Sequence, residues 1–317
     1  MVVGRSIVQQ HTYHDVGQRT WVVEAISLLA VPQIGEDKTM LGMNMLLWTA
    51  DVTDEHRPLL EMLRKTGYEF VEIPIFHGEP EKCAALGPLL DDIGLARTAL
   101  TARGAEDNPV SPDPAIRRLA VAHSCKAVDC AVALGAKTLV GPFHSGFGVF
   151  SGAGPTVDEW RWAIEGVAEV ADYARGLGVA LSLEFLNRFE CYLLNTTAET
   201  AKFVAAVGAD NVGILYDSHH ANIEDPDIAE TFRIYGRLFN HIHISESHRG
   251  TPGTGLVNWQ AFFEAISALD YHGDMVIEAF GQGVAELVPI VKIWRRAFDS
   301  EENLARDGYR FVRRHVH

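Results

Sequence analysis

Four short apolar runs in the second half of the chain each end in a residue able to bind a metal. Val179-Ala180-Leu181-Ser182-Leu183 leads to Glu184, and Val212-Gly213-Ile214-Leu215-Tyr216 leads to Asp217. Phe239-Asn240-His241-Ile242 leads to His243, and Met275-Val276-Ile277 leads to Glu278. The steps between the four are 33, 26 and 35 residues. A parallel strand–helix–strand unit takes roughly 30 residues or more. Eight strand–helix repeats close into a barrel whose chemistry sits where the strands end. Three carboxylates and one imidazole, distant in sequence, would then share one mouth. Oxygen-rich donors with one nitrogen suit Mn²⁺, Mg²⁺ or Co²⁺ better than a thiolate set would. Any one of the four could be a structural ion pair. Four at matching strand ends would be costly to bury uncompensated, and a shared divalent cation removes that cost.

The loops after these strands carry a second set of polar groups. Glu184 opens EFLNRFE, with Asn187, Arg188 and Glu190. Asp217 opens DSHHANIED, with His219, His220 and Asn222. His243 opens HISESHRGTPGTG, with Glu246, His248 and Arg249. Loops at this face of a barrel hold substrates. Three polar loops around one metal favour Glu190, His220 and Arg249 as substrate groups. His219 and His248 are expected to be solvated loop residues, and Gly250–Gly255 a turn beside the site. Phe143-His144 follows a fourth apolar strand, and His144 joins the substrate-binding candidates. Side chains at i and i+2 share a strand face. His241 therefore points with His243, and is expected to be a hydrogen-bonded barrel residue beneath the metal.

Eight strand–helix units are needed to position these groups, and the periodicity supplies them. Strands are expected at 42–48, 70–75, 94–100 and 137–141, and ending at Glu184, Asp217, His243 and Glu278. Helices are expected at 55–65, 80–93, 112–134, 157–177, 197–207, 227–235 and 259–269, and within 284–298. A final helix, 301–314, closes the chain. Gly135 and Gly178 supply helix stops. The expected fold is α/β: a single (β/α)8 barrel over residues 40–317, with a C-terminal helix. Residues 1–39 break the pattern and read as an N-terminal extension, unstructured or lying on the surface. A metal role for His11 and His14 is the lesser reading there.

Bulk properties exclude several classes. Twenty-seven Lys and Arg against 42 Asp and Glu give a net charge of −15. A nucleic-acid binder shows a basic footprint, which this chain lacks. Arg295-Arg296 and Arg313-Arg314 read as solvated helix ends, and no basic cluster near the site marks a phosphate pocket. No apolar run approaches the roughly 18 residues of a membrane span. The four cysteines, Cys83, Cys125, Cys130 and Cys191, lack CxxC spacing and suggest a reducing compartment. A cytoplasmic protein is expected.

The strings LEFLNRFECYLLNT, YDSHHANIED and HIHISESHRGTPGTGLVNW resemble the ketose 3-epimerases, typified by D-tagatose and D-allulose 3-epimerases, of the xylose-isomerase-like barrels. The resemblance spans about residues 40–300 and is most specific from 180 to 280. It implies that Glu184, Asp217, His243 and Glu278 hold Mn²⁺ or Co²⁺, and that Glu190, His220 and Arg249 contact substrate. It further implies inversion at C3 of a free ketose through a cis-enediolate, with Glu184 and Glu278 as the acid/base pair. Departures are Phe185 where the family has Pro, His219 where it has Phe, and Ser247-His248 before Arg249. Similar enzymes are homodimers or homotetramers. Rival readings keep the metal site: an aldose-ketose isomerase, an inosose-type dehydratase, or the metal subunit of a C-glycoside-cleaving lyase with a small β-rich partner subunit.

Overall fold

The structure, a computed structural model, describes residues 39–316. The expected extension, with His11 and His14, lies outside the described residues apart from Thr39. Eight parallel strands follow one another in order and close on themselves: β1 Leu41–Asn44, β2 Phe70–Pro74, β3 Ala96–Leu100, β4 Thr138–Gly141, β5 Ala180–Glu184, β6 Val212–Asp217, β7 Phe239–Ile244 and β8 Asp274–Ile277. The helices are α1 Arg57–Thr66, α2 Pro80–Ile93, α3 Pro114–Leu134, α4 Val157–Gly176, α5 Thr197–Val207, α6 Ser218–Glu224, α7 Ile228–Tyr235, α8 Trp259–Leu269, α9 Leu287–Val291 and α10 Glu301–Arg313. Among the described residues no helix is long and apolar enough to cross a membrane.

Local chemistry explains the boundaries. Asp113 caps α3 by accepting from the Ala115 N–H, and Gly135 ends it at φ 82. Thr156 and Glu159 form a reciprocal capping box at the start of α4. Gly141 sits at φ +123, where a Cβ would lie 2.1 Å from the Thr101 carbonyl oxygen, so only glycine lets β4 turn into its loop there.

Strand register sets which residues face inward. Asp217 pairs with His243, Leu215 with Glu184, and Val140 with Ser182. Neighbours in a parallel ladder share a face, so Val140 and Leu215 enter the barrel beside the polar residues. They join Leu46, Leu100, Phe280 and Ile293 in an apolar cluster separate from the main core. Ile242 and Ile244 face the other way, into the main core beneath the helices.

Three expected elements differ. The first strand, expected to reach Trp48, ends at Asn44, whose side chain accepts from the Leu46 N–H and starts a 3-10 turn over Met45–Leu47. Residues 284–298 do not form one long helix: only Leu287–Val291 is helical, and Lys292 turns the chain at φ 58. Pro289 lacks the N–H that a longer helix would need. The remainder forms an irregular strap whose Ile293 inserts into the apolar cluster. The eighth outer position is therefore taken by α10: the Tyr68 hydroxyl donates to the Ala305 carbonyl at 2.8 Å, and Gly308 packs on Ile277. The helix expected to be an addition is part of the barrel's outer ring. In addition, α6 starts directly from Asp217, whose side chain accepts from the His219 and His220 N–H groups.

Candidate metal and active site

The structure brings Glu184, Asp217, His243 and Glu278 together. One ligand atom of each lies within 4.8 Å of all the others, and all four residues are buried. Glu278 stands one residue past β8, held in the ladder by its N–H donating to the Ile244 carbonyl at 3.1 Å. His243 Nδ1 lies 3.8 Å from Glu184 Oε1, 3.7 Å from Asp217 Oδ2 and 3.5 Å from Glu278 Oε1. That nitrogen, like His243 Nε2 and both ring nitrogens of His241, is buried with no hydrogen-bond partner. A ring nitrogen facing three carboxylate oxygens, with nothing to donate to or accept from, fits a shared cation.

The charges agree. Burial, then the neighbouring Glu278, push the Glu184 carboxyl well above its usual range. Burial works upward on Asp217 too, but Arg249, His220 and His243 outweigh it and hold that carboxyl well below its usual range. For His243 burial favours the neutral ring, yet Glu72 and Glu278 outweigh burial and raise it well above normal. The field at this point favours positive charge, which is the field a divalent cation would neutralise.

Beneath the quartet lies a carboxylate that the sequence reading passed over. Glu72, on β2, is fully buried. Its Oε1 is 2.9 Å from His243 Nε2, and its Oε2 is 3.0 Å from His241 Nε2. Asn44 and Thr98 donate to its two oxygens at 3.0 Å each. His241 is thus beneath the quartet, as its alternation with His243 required. A charged residue in the middle of the apolar run Phe70-Val71-Glu72-Ile73 was the available signal.

Arg249 and His220 meet at the open side. Arg249 Nη1 donates to Asp217 at 3.2 Å, Ser245 at 2.8 Å and Glu278 at 2.9 Å. The Asn187 backbone N–H points at His220 Nδ1 at 3.0 Å and can only donate. Burial, then Arg249, hold His220 well below its usual pKa, in keeping with a neutral ring. Arg249 Nη2 faces His220 Nε2 at 3.0 Å, so the guanidinium and the imidazole stand side by side. Glu190 lies 4.0 Å from His220 Nε2, and burial raises its carboxyl above the usual range.

Glu190 and Arg249 line a cleft of ≈ 520 Å³ together with Asn187, His219, Lys292 and Trp294, among others. His219 and His248 are not free solvated side chains: both line the cleft, and their ring nitrogens contact the Glu246 carbonyl and the Gly250 N–H respectively. Arg295, expected at a solvated helix end, stands with Lys292 on the cleft wall because the strap folds back over the mouth. His144 is elsewhere. Its Nε2 is 2.9 Å from the Glu184 carbonyl, its Nδ1 is 3.1 Å from Ser145 Oγ, and its ring packs near Phe203. It is fully buried, tied to the backbone of β5 through the Glu184 carbonyl.

Known proteins are similar to this chain in sequence and fold. The family described as xylose isomerase-like TIM barrel matches residues 60–315. An L-ribulose 3-epimerase from Mesorhizobium japonicum is 30% identical over 275 residues, covering 86% of this chain and 92% of the relative. A D-psicose 3-epimerase from Agrobacterium fabrum is 30% identical over 258 residues, covering 80% and 89%. Among solved structures, a D-allulose 3-epimerase from Methylomonas sp., in complex with D-allulose, superposes with a TM-score of 0.83 at 27% identity, covering 91% of this chain and 99% of that one. With barrel, quartet and relatives in agreement, the chain belongs to the xylose isomerase-like TIM-barrel family and, within it, to the ketose 3-epimerases, an isomerase group.

Proposed function

We propose that this enzyme inverts C3 of a free ketose by proton transfer between two glutamates. The observation that carries the reading is the convergence of Glu184, Asp217, His243 and Glu278 beside His220 and Arg249. Glu184, Asp217, His243 and Glu278 would hold one divalent metal, Mn²⁺ first and Co²⁺ or Mg²⁺ as alternatives, which when bound withdraws charge from the C2 carbonyl and acidifies the C3 proton. One glutamate takes that proton and leaves a cis-enediolate. The other, entering from a strand three places round the barrel, returns a proton to the opposite face of C3. Exchange with solvent resets the pair. Arg249 and His220 donate to the developing oxyanion. Glu190 orients the substrate hydroxyls. A homodimer or homotetramer in the cytoplasm completes the proposal. Lys292 and Arg295 on the cleft wall favour a second reading, a ketose carrying an acidic group.

The test is Mn²⁺-loaded protein in D₂O with D-fructose, D-allulose, D-tagatose, L-ribulose and a ketose phosphate, followed by NMR. Deuterium at C3 with the epimer appearing, lost with EDTA and in Glu278→Gln, is the expected result. Exchange at C1 or C2 instead would make the enzyme an aldose-ketose isomerase. No exchange with any sugar would end the epimerase reading.

A further inference from the structure

We infer that Glu72 and Asn44 are positioning residues that set the geometry of the metal centre: Glu72 fixes the tautomer of His243, and Asn44 ties Glu278 to Glu72. The inference rests on the metal reading of the quartet and extends it to a layer beneath. Asn44, Glu72 and Thr98 are ladder neighbours on β1, β2 and β3, so all three side chains enter the barrel floor below the mouth. Each is buried.

Asn44 has one possible orientation. The Leu46 backbone N–H donates to its Oδ1 at 2.8 Å, so its amide nitrogen must face the other way. That nitrogen lies 3.0 Å from Glu72 Oε1 and 3.0 Å from Glu278 Oε1. Its two protons therefore bridge the two carboxylates. Arg249 holds the second oxygen of Glu278 at 2.9 Å, and both ends of that carboxylate are fixed. Glu72 in turn has two polar atoms within 3.0 Å of each oxygen: the Asn44 amide, which donates, and His243 Nε2 on one, and the Thr98 hydroxyl, which donates, and His241 Nε2 on the other. A carboxylate is the one side-chain group that accepts in all four directions. With the His243 proton drawn to Nε2, its Nδ1 lone pair is left for the quartet. Partners of this kind raise ligand basicity, and their loss typically weakens metal binding about 10–100-fold.

Glu72, His241 and His243 could by residue type be a second metal site. Occupation of both Glu72 oxygens by the neutral donors Asn44 and Thr98 favours the positioning role instead.

The test uses the full-length chain stripped with EDTA and titrated with Mn²⁺ alone, plus the visible spectrum of the Co²⁺-loaded form. The wild type is expected to bind one Mn²⁺. Glu72→Gln is expected to bind it about 10–100-fold more weakly and to shift the Co²⁺ bands, while the metal-free variant keeps its circular dichroism. Asn44→Ala, which leaves the Glu72 carboxylate in place, should shift the Co²⁺ bands with a smaller loss of affinity. Mn²⁺ affinity and Co²⁺ bands unchanged in Glu72→Gln would overturn the inference. Two Mn²⁺ per wild-type chain would overturn it by making the lower cluster a metal site. If Glu72→Gln does not fold, Asn44→Ala decides on the same readouts, and unchanged bands again overturn it. No sugar is present, so failure of the ketose reading would leave these results unaffected.

Discussion

Arg249 touches Asp217, Ser245, Glu278 and His220 from a backbone at φ 61, a conformation that non-glycine residues rarely hold. Its own N–H donates to the Glu246 carbonyl and its carbonyl accepts from Phe280, which over-determines the strained residue. A lysine has one charged nitrogen and cannot reach all four partners. Arg249→Lys is therefore expected to lower kcat/KM by about 10²-fold or more, since one oxyanion donor is worth that much. Steady-state kinetics on the preferred ketose checks this, and a loss below about threefold would remove Arg249 from the oxyanion role. The convergence of Glu184, Asp217, His243 and Glu278 was legible in the sequence because each ends an apolar run, where strand geometry leaves no choice of place. His144 looked equivalent by that rule, but the chain turns after β4 and buries the ring against Phe203. Strand position says where a Cα lies and not where the following loop aims its side chains.

The loop after β7 is built around one buried acid. Glu246 accepts from the Ser247, Gly253 and Val257 N–H groups and from the Trp259 indole N–H. Those donors hold the carboxyl below its usual range although burial works against them. Gly255 completes the turn, since a Cβ there would lie 2.4 Å from Glu246 Oε1. Removing the acceptor leaves several buried donors unmet, each costing about 1–3 kcal/mol. Glu246→Ala is expected to lose about 3 kcal/mol in urea unfolding, to raise KM through Arg249, and to open the loop to protease. Unchanged proteolysis and KM would show the loop to be held by other contacts. The sequence could not reveal this, because GTPGTG reads as any turn and an acid before it reads as solvated. The strap over residues 284–298 was overread for a related reason: its apolar spacing suits a helix face equally well as a plug for the barrel mouth. The eight strands were legible because short apolar runs, buried on both faces, and the β-α repeat leave few alternatives. The capped α6 was not legible although Asp217 is a strong cap residue, because its 7 residues are too few to show a helical period.

The barrel as a whole contains charges buried for function, and its stability should show it. Asp274, buried at the start of β8, has its pKa raised from 3.8 to about 6, by burial first, with His241 opposing. An acid raised in the fold binds its proton more tightly there than in the unfolded chain. Its stabilising contribution is complete below about pH 4 and is lost as pH rises through about 6. Asp274→Asn should therefore gain stability over the wild type at pH 7 by roughly 1–3 kcal/mol, and gain little at pH 4.5. Urea unfolding of both proteins at the two pH values checks the sign; an equal gain at both would exclude the linkage. The quartet predicts a second whole-barrel effect. Its carboxylates repel one another without a cation, so EDTA should lower the melting temperature and Mn²⁺ should restore it in proportion to the logarithm of its concentration. A melting temperature indifferent to both would argue against the metal.

The strap also equips the enzyme with its own optical reporter. Trp294 stands on the cleft wall with 68% of its surface exposed, while Trp259 is buried and bonded to Glu246. A sugar entering the cleft displaces water from one indole face and not from the other. Its emission should shift to shorter wavelength on binding, saturate with the affinity of the site, and vanish in Trp294→Phe. Occupancy could then be followed in a Glu278→Gln protein that turns nothing over, which separates recognition of a ketose from the chemistry performed on it.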